Sequence, residues 1–293
     1  MEVLLISLMI LLYTLQSFVC KIYADNYPGK SENSSLVYSI FIGVIVAVST
    51  LVITGFSFKA SGITWLLGLI NSVILFGYNF FLIGASQIGA YSIVMASSIA
   101  GGILIPTFVS LFFMGGHVGL ITWVCIVAIV LATFLICRKP TSEGRFTLRF
   151  GLLCLGLCFC NGMYGSLLNI QQDACNTMER NEMIAITFFF SAVIGLLYLI
   201  FHEKGKVLQP MKQTKKSMIV LLLCGLISTA AIHTLTYVLP LVNVTVLYSF
   251  DNAGVLVLSM VCSALFFKEK YRLSNVLGGA LMCVSLFCIS WFQ

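Results

Sequence analysis

The chain has 293 residues, of which 60% are hydrophobic and only 9% charged, with a formal net charge of +6 and a mean hydropathy of +1.06. These values lie far outside the soluble range and predict an all-α, multi-pass membrane protein. No polar stretch is long enough to form a separate soluble domain, so any chemistry lies within or between spans, and nothing points to nucleic acid, a cofactor or a metal.

Apolar runs of about 20 residues, each long enough to cross a hydrocarbon layer of about 30 Å, predict ten spans: 3-23, 35-57, 62-84, 91-114, 117-137, 150-170, 183-201, 217-239, 243-267 and 272-292. The first run lacks a basic n-region and a small-residue cleavage site, so it reads as a retained span, with the mature chain starting at Met1. The longest connections are the linker Arg138 to Arg149, the segment 171-182, and the basic loop 202-216, "HEKGKVLQPMKQTKK". None of the eleven cysteines forms C-x-x-C. In "CLGLCFC", Cys154 and Cys158 share a helix face, where thiols behave as small packed hydrophobes. The Asn33-Ser34-Ser35 sequon is too short a pattern to carry weight.

A shift of 154 residues sets Leu111, Phe112 and Phe113 on Leu265, Phe266 and Phe267, and very short connections precede spans 4 and 9 and again spans 5 and 10. The expected organisation is a first five-helix repeat over 1-137, a linker over 138-149 and a second repeat over 150-293. Five is odd, so two head-to-tail copies lie in the membrane with opposite orientations as inverted repeats, the pattern of secondary transporters. The loops after spans 1, 5, 7 and 9 hold 14 of the 16 lysines and arginines, leaving Lys59 and Arg180 on the other side. The positive-inside rule makes those four loops cytoplasmic and puts both termini outside.

The stretch "VNVTVLYSFDNAGVLVLSMVCSALFFKEKYRLSNVLGGALMCVSLFCI" has a long span, a turn carrying Glu269, and a glycine-rich last span with Gly278, Gly279 and Ala280. In this it resembles the drug/metabolite transporter superfamily, and within it the ten-span EamA-type proteins. The resemblance extends over the whole chain in architecture and is concentrated at the repeat ends in sequence. The first repeat departs from the pattern, with Gly115, Gly116 and His117 where the turn glutamate would stand. The resemblance implies movement of small metabolites or drugs across the cell membrane through a central cavity between the repeats. It also implies cytoplasmic termini, opposite to the loop charges, which are preferred here. The essential glutamate in the first helix of the related four-span multidrug exporters has no counterpart, because the first span offers only Tyr13, Thr14, Gln16 and Ser17.

Asp251 is predicted to lie about 12 Å deep in its span, where a carboxylate costs about 2.5 to 3.5 kcal/mol on insertion scales and generally marks an ion, proton or substrate site. The bland alternative is an aspartate that only ties helices together. Tyr248, Asp251, Asn252, Val255, Ser259 and Ser263 share a face at spacings of three and four. Thr229, His233, Thr236, Tyr237 and Pro240 form a second stripe on the preceding span, which the short connection 240-242 makes a neighbour. His233 reads equally well as a site residue or as a packed, hydrogen-bonded group. Gln16, Ser17, Tyr78, Asn79, Tyr91, Asn161 and Tyr164 would complete a pocket of tyrosines and amides around one acid. Such a pocket suits a cationic or zwitterionic solute, with a proton as candidate coupling ion. No basic residue lies deep in a span, which disfavours nucleotide sugars and other strongly anionic solutes. The run "ASSIAGG" (96-102) is assigned to close helix packing.

Two other classes compete. An intramembrane enzyme needs paired aspartates, H-E-x-x-H or a histidine with basic partners, and none is present; His202-Glu203 lacks a second histidine and belongs to a loop. A non-transporting sensor or assembly factor would share the same pocket and differ only in lacking flux.

Overall fold

The computed structural model describes residues 2-113, 119-137, 147-175, 179-242 and 244-292. All regular structure among them is helical: α1 Glu2–Asn26, α2 Ser31–Ile53, α3 Gly62–Ile88, α4 Tyr91–Phe113, α5 Leu120–Cys137, α6 Leu148–Cys175, α7 Arg180–His202, the short α8 Leu208–Met211, α9 Lys215–Val238, α10 Val244–Phe266 and α11 Leu273–Phe292. Seven of these (α1, α2, α3, α6, α7, α9, α10) are long and apolar enough to cross a membrane; α4, α5 and α11 contain shorter apolar stretches, Tyr91–Pro106, Leu120–Ile136 and Leu273–Ile289. The linker 138-146 and the glycine pair Gly115-Gly116 with His117 lie outside the described residues.

Local chemistry sets the helix ends. Ser61 and Thr214 cap α3 and α9 by accepting the N–H of Thr64 and Ser217, each satisfying a donor the first turn leaves orphaned. Gly55 (φ +60°) and Gly205 (φ +82°) end α2 and α7 in the left-handed region, where a Cβ would be strained. Several boundaries differ by a few residues from the hydropathy reading, and for two the cause is visible. Helix α1 continues to Asn26, so Lys21 lies within it rather than in a loop: its ammonium bonds Asp25 at 2.9 Å and the Ser86 carbonyl, 5.9 Å from the Phe267 ring centre. A lysine whose head meets a carboxylate, a carbonyl and an aromatic face can be carried near a helix end without leaving an unpaired charge. Helix α6 runs five residues past its expected end, to Cys175, because Gln171 donates to Thr64 at 3.1 Å and both glutamines, Gln171 and Gln172, are buried against neighbours.

The helices pack in a regular pattern. Helix α2 packs on α7, α5 on α11 and α4 on α10; α1 packs on α9 and α10, while α6 packs on α3 and α4; α3 packs on α7 and α2 on α9. The short connection 240-242 therefore does not lay α9 along α10, because α1 packs between them. Small residues allow these approaches. A Cβ on Gly101 would stand 1.9 Å from the Cys158 carbonyl oxygen, and one on Gly43 2.5 Å from that of Phe188, so α4–α6 and α2–α7 close only through glycine. A large core joins α1, α2, α3, α6, α7 and α9, and a smaller one joins α4, α5, α10 and α11.

Candidate functional site

Between these groups lies a cavity offering ≈ 160 Å³ to the centres of water-sized molecules. Four helices line it with the same spacing: Tyr13, Gln16, Ser17 and Cys20 from α1; Leu75, Tyr78, Asn79 and Leu82 from α3; Asn161, Tyr164, Gly165 and Leu168 from α6; Tyr248, Asp251, Asn252 and Val255 from α10. The steps i, i+3, i+4, i+7 are those of one helical face. Helix α4 adds Met95, Ser98, Ile99, Gly102 and Pro106, and no lysine or arginine lines the cavity among the described residues.

Eight of the ten residues expected at the site border this cavity: Gln16, Tyr78, Asn79, Asn161, Tyr164, Tyr248, Asp251 and Asn252. His233 and Tyr237 do not. Helix α9 turns Ser228, Ile232 and Leu235 toward the cavity, which rotates His233 to α2, where its Nε2 meets the Thr50 hydroxyl at 3.1 Å. Tyr237 faces outward and is 53% exposed. The other polar groups of that stripe are satisfied on their own helix, Thr229 by the Gly225 carbonyl and Thr236 by that of His233.

Asp251 is the only carboxylate bordering the cavity among the described residues. It stands on the third turn of α10, and its Oδ1 is inaccessible and has no hydrogen-bond partner. Tyr13 and Tyr248 are within electrostatic range of it, and Tyr78 and Tyr164, within range of Tyr13, line the same cavity. A carboxylate with an unpartnered oxygen in a cavity lined by tyrosines can hold a cation, or the proton that replaces it. The amides beside it are oriented by backbone acceptors: Asn161 Nδ2 donates to the Ser98 carbonyl at 2.8 Å, and Asn252 Nδ2 to that of Tyr248 at 2.7 Å.

At one end of the bundle hydroxyls and rings tie α1, α4 and α10 together. Tyr91 does not border the cavity; its buried hydroxyl bridges Ser17 on α1 (2.7 Å) and Ser259 on α10 (3.4 Å). Phe18 packs edge-on to Phe266, and Tyr91 packs on Phe267. Glu269 in the α10–α11 turn accepts from the backbone N–H groups of Tyr91 (2.6 Å) and Ser92 (3.4 Å) and from the Ser92 hydroxyl (2.7 Å), capping α4. Lys268, in the left-handed region at φ +55°, turns the chain so that this carboxylate faces α4. At the opposite end Glu179 accepts from the Ser61 N–H and hydroxyl, both at 2.8 Å, and Arg180 donates to the Thr236 carbonyl at 2.6 Å. The Thr64 hydroxyl first, then the Ser61 N–H and hydroxyl, hold the Glu179 carboxyl below the ordinary carboxylate range.

Sequence reasoning missed Ser98, Gly102, Pro106 and Asn169 as cavity residues. For Asn169 the signal was present, eight residues beyond Asn161 on the same face. For Gly102 it was not, because "ASSIAGG" mixes two duties. Gly101 meets the α6 backbone, whereas a Cβ on Gly102 would meet Asn161 Nδ2 at 3.0 Å and Asn252 Oδ1 at 3.6 Å.

Residues 149–291 match the EamA-like transporter family. One solved structure, described only as the crystal structure of a protein, shares the fold with a TM-score of 0.68 at 14% identity, over 99% of this chain and 96% of that one. No curated protein matches the chain in sequence.

Proposed function

We propose that this chain, an EamA-type member of the drug/metabolite transporter superfamily by the match over residues 149–291, is a secondary transporter that carries a small cationic or zwitterionic solute across the cell membrane by alternating access. The observation that carries the reading is Asp251: a carboxylate with an unpartnered oxygen on the wall of a mid-bundle cavity that tyrosines and amides also line, with no lysine or arginine in that lining among the described residues. A group left in that condition is stabilised by the ligand that arrives, and a solute cation and a proton compete for it. Exchange follows from that competition, since each is released when the other binds.

The packing supports two five-helix repeats, α1–α5 and α6–α11 without the short α8, related by a pseudo-two-fold axis. Exchanging the halves turns α1 on α9 into α6 on α3, α1 on α10 into α6 on α4, and α2 on α9 into α7 on α3. The pairs α2–α7, α4–α10 and α5–α11 map onto themselves. With ten spans and this symmetry the cavity lies on the axis, at the midplane, and the two ends are alternative gates. At one end the Tyr91 hydroxyl bridges Ser17 and Ser259; on this reading transport requires that these hydroxyls part. The loop charges assign that end to the cytoplasm and both termini to the outside.

Flux tests the reading. Purified protein in proteoliposomes should accumulate radiolabelled amines or amino acids under a proton gradient and leave nucleotide sugars behind. Ligand-induced stabilisation with no flux for any solute that binds would show a sensor instead.

A further inference from the structure

The loop between α7 and α9 carries five exposed lysines, Lys204, Lys206, Lys212, Lys215 and Lys216. Among the described residues none of them forms an ion pair; Lys216 donates to the Asn26 amide oxygen at 3.2 Å. The one acid of the loop, Glu203, is engaged elsewhere, accepting from Asn33 Nδ2 at 2.7 Å and standing 3.8 Å from the Lys30 ammonium. The short α8 in the middle of the loop has two faces. Val207 and Met211 pack on a cluster of Leu36, Val37, Ile40 and Leu199, and the buried Pro210 offers its carbonyl to the Tyr27 hydroxyl at 3.0 Å. This pins the turn against α2 and α7 and leaves Leu208 outside, 81% exposed; Phe201, in the last turn of α7, is 80% exposed. The loop joins the ends of two helices long and apolar enough to cross a membrane, so both side chains fall near the level where acyl chains give way to headgroups. Large apolar groups are poorly placed in water on all sides, but apolar groups flanked by unpaired lysines are complementary to that boundary. The opposite end differs among the described residues: its connections offer Lys59 and Arg180, and Arg180 is turned in to the Thr236 carbonyl at 2.6 Å.

We propose that the loop 203–216 is a lipid-binding foot, in which Phe201 and Leu208 enter the acyl boundary and Lys206, Lys212, Lys215 and Lys216 hold the headgroup phosphates of anionic phospholipids. A phosphodiester gives each ammonium a charged acceptor, and an anionic leaflet attracts lysines held close to its surface. A zwitterionic phospholipid offers the same phosphate but sets a cation beside it, which the lysines repel. Selection is therefore by net headgroup charge, with Leu208 and Phe201 fixing the depth of the loop for either lipid.

Two lipids with the same palmitoyl and oleoyl chains, a phosphatidylglycerol and a phosphatidylcholine, test this on the full-length protein in nonionic detergent, each titrated for thermal stabilisation. Phosphatidylglycerol should act at a concentration about tenfold or more lower than phosphatidylcholine, and that lead should shrink in 1 M salt, where the screening length falls to about 3 Å. Changing Lys206, Lys212, Lys215 and Lys216 together to Gln alters exposed side chains only and should abolish the preference; Leu208→Gln should weaken binding of both lipids and keep it. Equal action of the two lipids on wild type overturns the anionic-lipid assignment. A preference that survives the loss of the four lysines overturns the role of this loop. Sodium phosphate that stabilises wild type as phosphatidylglycerol does, or displaces it, shows a free-anion site in place of a lipid surface. Unchanged binding by Leu208→Gln overturns the apolar anchor. No flux is measured here, so lipid binding and solute transport stand or fall separately.

Discussion

The Glu269 carboxylate accepts the Tyr91 backbone N–H at 2.6 Å, so a turn at the end of α10 supplies the cap of α4, and the same α4 residue ties α1 to α10 through its hydroxyl. That hydroxyl bridge and the α10–α11 turn are therefore one unit. Glu269→Ala leaves the first N–H groups of α4 without this acceptor and should cost about 1 kcal/mol of stability. It should also speed labelling of a Ser17→Cys reporter from that face of the membrane. An unchanged labelling rate would uncouple the cap from the gate.

The two adjacent glycines of α4 should fail differently. Gly101→Ala puts a methyl into the Cys158 backbone, which cannot step aside without separating α4 from α6, and should cost several kcal/mol, beyond the roughly 1 to 3 kcal/mol of ordinary overpacking. Gly102→Ala meets a side-chain amide that can shift by a few tenths of an ångström, so folded protein should be recovered in near wild-type yield. Equal yields for the two variants in membranes would contradict this division.

The Glu179 anchor at the opposite end predicts a pH dependence of stability. Thr64 and Ser61 hold its carboxyl below the ordinary carboxylate range, so the unfolded chain binds the proton more readily than the folded one. The contribution is complete above the ordinary range and is lost as pH falls through the depressed folded value. Thermal denaturation between about pH 5 and pH 3 should therefore show wild type losing more stability than Glu179→Gln. Parallel curves would remove Glu179 as an acid-sensitive anchor.

His233 is bonded to Thr50 and turned away from the cavity. His233→Ala should lose about 1 kcal/mol of stability with that hydrogen bond, and bind and carry solute as wild type does, compared per folded molecule at several pH values. Loss of the pH dependence of transport in this variant would return His233 to the site.

Much of the site was legible in the sequence because a cavity in a helical bundle leaves a periodic trace. Polar residues at i, i+3, i+4 and i+7 cannot face lipid, and Tyr248, Asp251 and Asn252 on α10, like Asn161 and Tyr164 on α6, point inward together. His233 and Tyr237 carry the same spacing, but spacing gives relative rotation only. Which stripe of α9 faces inward is set by α1, which packs between α9 and α10 and brings Ser228 and Ile232 to the cavity. Lys21 shows a second limit: it was counted with the loop charges although it falls inside the first span, and the helix continues past it to Asn26 because that charge finds Asp25 and a carbonyl. The turn glutamate was visible as a motif, yet its acceptor role toward α4 depends on contacts 178 residues apart that no local pattern encodes.

Asp251→Asn tests the central claim most directly, because it keeps the side chain's shape and removes only the charge. Wild type and variant are reconstituted in parallel, and flux of a bound amine per folded molecule is measured at several pH values. The account predicts that the asparagine protein folds and inserts at least as well as wild type, since the membrane disfavours the charge it lacks, and that it loses proton-dependent flux and the pH dependence of solute affinity. Normal, pH-dependent transport by Asp251→Asn would contradict the account.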